Sequence, residues 1–308
     1  MKRKISQKLK KELPGLKRNI SLKNYTTFKI GGPVKYFFVA KNKEDLIEAI
    51  KKAKELKLPF FILGGGSNLL VSDKGFDGLV IKILNSKFYI LNSKIFAEAG
   101  TPLTLIINEA AKKGLTGLEW AAGIPGTVGG AIYGNAGAFG RSMKDVVKEV
   151  EYGEVGFPSE IRLLKIKNRD CEFSYKDSIF KHKKNLIILS AILQLKKGNK
   201  KVIESKIKKN LEQRKKTQPL NFPSAGSIFK NPPGFSAGEL IEKCGLKGKK
   251  IGGVKISEKH ANFILNLGRH PPATQGKAKD VIKLINLIKQ KVKNKFKVNL
   301  EEEIQILE

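Results

Sequence analysis

Two glycine-rich loops constrain the fold of this chain more than any other feature. The first loop, Gly64-Gly65-Gly66-Ser67-Asn68, follows directly on the apolar run Pro59-Phe60-Phe61-Ile62-Leu63, which predicts a buried strand. The second loop covers residues 123–140 and contains seven glycines. Because glycine lacks a Cβ, the backbone N–H groups of such loops can converge on an anion. The two loops together predict close backbone approach to a planar or phosphorylated ligand, and tight turns in a β-rich domain are the alternative.

The spacing of these loops excludes the common nucleotide motifs. Neither loop ends in the Gly-Lys-Ser/Thr of a P-loop, and neither gives a clean Gly-x-Gly-x-x-Gly that opens a helix. The three histidines, His182, His260 and His270, do not share the spacing of metal ligands, so no metal site is predicted. Glycine loops without a catalytic set of their own favour a bound cofactor that carries out the chemistry itself.

The order of hydrophobic patterns predicts more than one domain in a chain of 308 residues. A basic lead-in at residues 1–19 includes a helix at 5–13. A β/α pattern starts at Tyr36, with a helix capped by Asn42. A shift in composition at residues 196–201 predicts a boundary, so that domains cover residues 20–198 and 199–308. Further elements are predicted as helices at 102–113, 202–211, 238–244 and 277–296 and a terminal strand at 298–307. Two of these helices have apolar residues at helical spacing on one face: Val202, Ile203, Ile207 and Leu211 in the helix at 202–211, and Val281, Leu284, Ile285, Ile288 and Val292 in the helix at 277–296.

The charge of the chain raises the possibility of a nucleic-acid partner. Lys and Arg number 60 against 28 Asp and Glu, a formal net charge of +32. Arginine, which reads bases through bidentate contacts, occurs at only seven positions, so 53 of the cations are lysines, spread over the whole length. A lysine-rich solvated surface is therefore favoured, and nucleic-acid binding remains the alternative.

Hydropathy and cysteine content indicate the compartment. No apolar run approaches the roughly 20 residues of a membrane span. The two cysteines, Cys171 and Cys244, lie far apart in sequence, which excludes a disulfide scaffold and fits a reducing compartment. We therefore expect a cytoplasmic protein without a membrane partner.

Six motifs, in their order along the chain, resemble the family of UDP-N-acetylenolpyruvoylglucosamine reductases. The resemblance runs from about residue 20 to the end and lacks the insertion of the longer subgroup, so it points to the shorter, type II form. The segments at 223–232 and 300–304 are specific to this family, whereas the glycine loops alone indicate only the wider group of flavoproteins. The motifs are Thr26-Thr27-Phe28-Lys29-Ile30-Gly31-Gly32-Pro33, Gly64-Gly65-Gly66-Ser67-Asn68, the stretch from Gly123 through Asn135-Ala136-Gly137, Tyr175-Lys176-Asp177-Ser178, Pro223-Ser224-Ala225-Gly226-Ser227-Ile228-Phe229-Lys230-Asn231-Pro232 and Leu300-Glu301-Glu302-Glu303-Ile304.

The resemblance implies an α+β flavoprotein: a two-part FAD-binding domain of the PCMH/VAO type, then a substrate-binding domain whose last strand returns to the flavin. It implies an oxidoreductase that uses NADPH as hydride donor and reduces UDP-N-acetylglucosamine enolpyruvate to UDP-N-acetylmuramate in peptidoglycan synthesis. Neither glycine loop contains a histidine, so non-covalent FAD is expected. No nucleic-acid or obligatory protein partner is inferred. Another FAD oxidoreductase of the same fold is the alternative.

Three residues correspond to the catalytic positions of the family. Ser227 matches the proton donor. Glu303 matches the catalytic glutamate, although it lies in a run of three, and strand alternation would place Glu301 with Glu303 on one face and Glu302 on the other. Lys176 stands where the family has an arginine that holds the substrate carboxylate. Lysine keeps the charge but loses the planar fork, so either Lys176 acts with looser geometry or another cation replaces it.

The remaining site residues are also carried over from the resemblance. The residues expected to bind FAD are Thr27, Gly64, Gly65, Gly66, Ser67, Asn68, Gly123, Gly126, Thr127, Gly129, Gly130, Asn135 and Gly137. The residues expected to bind the substrate are Tyr175, Asn231, His260, Lys216 and Gln218.

Overall fold

A computed structural model describes residues 2–156, 159–268 and 274–308. The helices are α1 (Lys2–Glu12), α2 (Lys43–Glu55), α3 (Leu103–Lys112), α4 (Val128–Tyr133), α5 (Ile179–His182), α6 (Lys200–Thr217), α7 (Ala237–Lys243) and α8 (Ala278–Phe296). The strands are β1 (Lys17–Ser21), β2 (Pro33–Ala40), β3 (Phe60–Leu63), β4 (Leu69–Val71), β5 (Phe76–Ile83), β6 (Phe88–Leu91), β7 (Lys94–Glu98), β8 (Leu115–Thr116), β9 (Gly137–Ala138), β10 (Arg141–Ser142), β11 (Val147–Val155), β12 (Ile161–Lys167), β13 (Leu186–Gln194), β14 (Lys196–Lys197), β15 (Lys250–Ile251), β16 (Val254–Ile256), β17 (Ile264–Asn266) and β18 (Gln305–Leu307).

The chain forms two compact units, and each is built from separate stretches of sequence. The first unit contains Met1–Arg18, Tyr36–Gly65 and Gly78–Gln213. The second contains Asn19–Lys35, Gly66–Asp77 and Arg214–Glu308. One division falls inside the first glycine loop, between Gly65 and Gly66.

The main sheet of the first unit is antiparallel, with strand order β12-β11-β13-β7-β6. A further sheet has the order β1-β2-β5-β3, in which β3 and β5 run parallel. Helix α2 starts where the sequence predicts, because the Asn42 side chain accepts a hydrogen bond of 2.7 Å from the Asp45 N–H. Leu46, Ala49 and Ile50 of this helix are buried in the core of the unit.

Helix α6 accounts for a difference between the predicted boundary at 198/199 and the observed division at 213/214. Its residue Ile203 is buried in the first unit, and the Asn210 side chain donates a 2.8 Å hydrogen bond to the Glu119 carbonyl. The predicted apolar face of this helix is only partly correct, because Val202 and Leu211 are 50% and 44% exposed.

The second unit packs α7 and α8 around a small antiparallel sheet of order β15-β16-β17. The predicted apolar face of α8 is confirmed, since Val281, Leu284, Ile285, Ile288 and Val292 are all buried. The Asp73 carboxylate accepts hydrogen bonds of 2.8 and 2.9 Å from the first N–H groups of this helix. This cap ties the Gly66–Asp77 stretch to the C-terminal half of the chain.

The terminal strand is shorter than predicted. Only β18 is regular strand, and it pairs in parallel with β4. Residues 298–304 contribute an isolated bridge between Glu302 and Phe229 instead. Among the described helices, none combines the length and hydrophobicity that a bilayer crossing needs.

Candidate functional site

Ser227 lies in a short extended segment that is held from both sides within the second unit. On one side, Ser227 forms an antiparallel bridge with Phe263, and the Ile228 N–H donates to the Asn262 carbonyl at 2.9 Å. On the other side, the Ile228 carbonyl accepts a 2.8 Å hydrogen bond from the Glu303 N–H. The structure therefore brings the segments of Ser227 and Glu303 together, although these residues are 76 positions apart in the sequence.

Asn68 fixes the backbone of Glu303 from a third direction. The Asn68 side-chain amide donates to the Glu303 carbonyl at 3.0 Å, and the Gln305 N–H donates to the Asn68 carbonyl at 3.1 Å. The end of the first glycine loop thus meets the C-terminal segment, where β18 joins β4. Asn68, expected to bind FAD, also positions the predicted catalytic glutamate.

The three consecutive glutamates differ in their surroundings. The Glu301 carboxylate pairs with Lys230 at 2.5 Å, and the Glu302 carboxylate pairs with Lys289 at 2.8 and 3.1 Å. The expected strand alternation is wrong here, because residues 301–303 do not form a regular strand. The two preceding carboxylates are thus each paired with a lysine, and the catalytic role of Glu303 stays a prediction.

Asn262 is a positioning residue that the sequence alone did not reveal. Its side chain is 4% exposed; its Oδ1 accepts from the Phe229 N–H at 2.9 Å, and its Nδ2 donates to the Phe229 carbonyl at 2.8 Å. The Asn262 side chain thus bonds both backbone groups of Phe229, two residues after Ser227, as a neighbouring strand would. In the sequence, Asn262 lies two positions after His260 and directly before Phe263. Nothing in this spacing indicates the contact of Asn262 with Phe229.

Asn262→Ala is expected to destabilise the protein by about 2–4 kcal/mol, because two buried backbone groups of Phe229 lose their partners. Chemical denaturation of the variant measures this loss. The matched control is Asn231→Ala, which removes the hydrogen bond from the Ala237 N–H, 3.0 Å long, at an exposed position but leaves both Phe229 groups paired, and which should therefore lose less. Equal stability of Asn262→Ala and the wild type would show that the two hydrogen bonds of Asn262 with Phe229 do not stabilise the protein.

Thr27 and Gly66 meet in the second unit. The Thr27 N–H donates to the Gly66 carbonyl at 3.0 Å, and the Thr27 hydroxyl donates to the Ser224 carbonyl at 2.7 Å. Gly66 has φ +64°, and a Cβ there would lie 2.1 Å from the Tyr25 carbonyl oxygen, so no other residue fits. Ser67 follows directly in the same unit.

The other part of the first loop meets the second glycine loop inside the first unit. A Cβ on Gly65 would lie 2.7 Å from the Cα of Gly126, and a Cβ on Gly64 would lie 2.8 Å from the Thr127 hydroxyl. Gly126 has φ +127°. These two loops therefore form a surface made of backbone, which suits the diphosphate of a dinucleotide such as FAD.

Packing within the protein explains several of the predicted FAD residues. A Cβ on Gly129 would lie 2.7 Å from the Cβ of Ala99, and one on Gly137 would lie 2.7 Å from the Arg141 carbonyl. Thr127 caps α4, since its hydroxyl accepts from the Gly130 N–H at 3.3 Å. A direct role of these residues, and of Gly123 at the start of the loop, in FAD binding stays a prediction.

Asn135 connects the second glycine loop to the turn that carries Tyr175 and Lys176. Its Nδ2 donates to the Ser174 carbonyl at 2.6 Å, and its Oδ1 accepts from the Lys144 N–H at 3.0 Å. The turn is closed by the bridge between Ser174 and Asp177, with Lys176 in the left-handed region at φ +58°. Tyr175 is 56% exposed and Lys176 is half-buried, so this turn presents an aromatic ring at the surface of the first unit.

The predicted substrate residues of the second unit differ in their surroundings. His260 is half-buried, its Nδ1 accepts from the Asn262 N–H at 3.3 Å, and burial lowers its pKa, which favours the neutral ring. Asn231 holds the start of α7 through Ala237. Lys216 is exposed in the last turn of α6 and Gln218 follows this helix, so neither is brought to Ser227 by a described hydrogen bond.

The spacing Gly234-Phe235-Ser236-Ala237-Gly238 matches the Gly-x-Ser-x-Gly nucleophile motif of hydrolases, so the expectation that the sequence lacks this motif is wrong. That motif requires a strand that leads into the serine, whereas here the preceding residues form a turn. The Ser236 hydroxyl instead caps α7 by accepting from the Glu239 N–H at 3.4 Å. The structure therefore gives no support to a hydrolase. Within the described residues, no group of three or more His, Cys, Asp or Glu side chains could hold a metal ion.

Comparison with known proteins gives matches to both halves of the chain. Residues 34–153 match the family profile described as an FAD binding domain, and residues 218–307 match that of the UDP-N-acetylenolpyruvoylglucosamine reductase C-terminal domain. The UDP-N-acetylenolpyruvoylglucosamine reductase of Caldanaerobacter subterraneus subsp. tengcongensis is 47% identical over 290 residues, 94% of this chain and 92% of that protein. That of Anoxybacillus flavithermus is 41% identical over 298 residues, 95% of this chain and 94% of that protein.

A solved structure extends this similarity to the fold. The crystal structure of UDP-N-acetylenolpyruvylglucosamine reductase from Thermus caldophilus has a TM-score of 0.79 and 36% identity, and the match covers 95% of this chain and 99% of that chain. The predicted fold class, an α+β protein with an FAD-binding domain and a distinct C-terminal domain, is confirmed.

Proposed function

The chain belongs to the UDP-N-acetylenolpyruvoylglucosamine reductase family, and from this premise we propose that it reduces UDP-N-acetylglucosamine enolpyruvate to UDP-N-acetylmuramate with FAD and NADPH. The observation that carries the proposal is the similarity to these reductases over more than nine-tenths of the chain. The bound FAD would supply the hydride chemistry, by accepting a hydride from NADPH and passing it to the enolpyruvyl double bond. We place this step of peptidoglycan precursor synthesis in the cytoplasm, without an obligatory protein partner.

The protein must stabilise charge and deliver a proton in this reaction. Addition of a hydride to the terminal carbon of the vinyl ether leaves negative charge on the carboxylate-bearing carbon and its carboxylate. A general acid must then protonate that carbon. In our proposal Ser227 donates this proton, and the rigid hold on its segment through Ile228 supports a defined position for the hydroxyl.

Glu303 is proposed to assist Ser227. A serine hydroxyl is a weak acid, so a neighbouring group must orient it or relay a proton to it. The hydrogen bond from the Glu303 N–H to the Ile228 carbonyl, 2.8 Å long, supports this pairing. Lys176 is proposed to hold the substrate carboxylate as a point charge, and Tyr175, Asn231, His260, Lys216 and Gln218 are proposed to contact the rest of the substrate.

The visible spectrum of the purified protein tests the proposed function. We expect a yellow protein, or one that takes up FAD, that bleaches with NADPH without oxygen and regains its colour on addition of UDP-N-acetylglucosamine enolpyruvate. Recovery of colour only with oxygen would favour a flavin oxidase. A colourless protein that binds no FAD would exclude the proposed function.

A further inference from the structure

Lys82 places a half-buried cation directly beside the first glycine loop. It lies near the end of β5, between the buried Ile81 and Ile83, and pairs across the parallel β3–β5 ladder with Leu63. Leu63 is the last residue of β3, immediately before Gly64. The position of Lys82 in the ladder therefore fixes its side chain next to the start of the loop.

The Lys82 ammonium group donates a hydrogen bond to the Gly64 carbonyl oxygen. In a trans peptide the carbonyl and the following N–H point in opposite directions. Because the Gly64 carbonyl is held towards Lys82, the Gly65 N–H points away from it. In the described part of the chain, this N–H has no hydrogen-bond acceptor. Lys82 thus sets the direction of a free donor on the loop.

The charge of Lys82 is not balanced by a carboxylate. Across residues 2–156, 159–268 and 274–308, no Asp or Glu oxygen lies within 4.0 Å of its Nζ. Burial lowers the pKa of this lysine, with no opposing contribution from a nearby acid. Partial burial of the Lys82 ammonium group without a counter-ion costs desolvation free energy. A bound anion near this group would offset that cost.

We propose that Lys82 is a positioning residue of the cofactor site, which orients the peptide that joins Gly64 and Gly65 and supplies the positive charge that the diphosphate of FAD neutralises. The inference rests on the proposed function, since it requires that the chain binds FAD. It assigns to the cofactor site a residue that lies outside both glycine loops. The loop next to Lys82 is also held by backbone packing, because Gly65 lies against Gly126. No glycine motif indicates this residue.

Titration of the flavin-free protein with FAD, followed by flavin fluorescence, tests the role of Lys82. Lys82→Met should raise the Kd for FAD by about 10–100-fold, because the Gly64–Gly65 peptide loses the group that orients it and the positive charge that the diphosphate neutralises is removed. Lys82→Arg should stay within about threefold of the wild type, and Lys82→Gln, which keeps a donor but not the charge, should fall between the two. The matched control is Lys148→Met, which removes one charge from an exposed position on β11.

The melting temperature of the flavin-free variants separates this role from a structural one. If Lys82 serves a ligand, Lys82→Met should be as stable as the wild type or more stable without FAD, because an unbalanced charge has been removed from a half-buried position. A fall of several degrees in the flavin-free protein would indicate a structural lysine and overturn the inference. An unchanged Kd for FAD would overturn it too. A wild type that binds no FAD would instead refute the proposed function, and the inference with it.

Discussion

Ser227→Ala is expected to leave the reduction of bound FAD by NADPH intact while lowering kcat by about 10²–10⁴-fold. The reason is that proton delivery is needed only after the hydride has reached the substrate. Stopped-flow absorbance without oxygen separates the two half-reactions, since flavin bleaching reports the first and the return of colour reports the second.

A nearby serine provides the control for Ser227. Ser236→Ala removes a helix cap in the same unit and should cost about 1 kcal/mol of stability while turnover is retained. Equal losses in both half-reactions of Ser227→Ala would refute the proton-donor role. If Ser236→Ala folded normally but lost activity, Ser236 in the Gly-x-Ser-x-Gly motif would be the serine needed for activity instead.

Glu303→Gln is expected to lower kcat by about 10²–10³-fold, because the amide keeps the size of the side chain but cannot take part in proton transfer. The backbone contacts of Glu303 with Ile228 and Asn68 do not depend on its carboxylate, so the fold should be retained. Steady-state kinetics with saturating NADPH and enolpyruvyl substrate measure the loss.

The two preceding glutamates are matched controls of the same chemistry. Glu301→Gln and Glu302→Gln each remove one lysine pair at the surface, worth about 0–1 kcal/mol, and should keep kcat within about threefold. If Glu302→Gln were as impaired as Glu303→Gln, the assignment within the run would be shifted by one residue.

Local sequence patterns predicted many of the elements in the described part of the chain. Asn42 starts α2 as expected, and the apolar positions of α8 are buried as expected, because both depend on neighbours three or four residues away. The same reasoning misplaced Val202 and Leu211, which are exposed on α6 because the packing of that helix depends on partners distant in sequence. The terminal strand was overextended for the same reason, since β18 is defined by its pairing with β4.

The sequence by itself determined the family and the FAD-binding fold class, and it predicted the residues of the catalytic and cofactor positions. These follow from short motifs, which are local properties of the chain. The tertiary structure decided which residues support those positions. Asn262, which clamps Phe229, and Lys82, which holds the Gly64 carbonyl, each act across gaps of 18 or more positions in the chain. Contacts of this kind leave no periodic or spaced pattern, because folding brings the two partners together only after each lies in its own element.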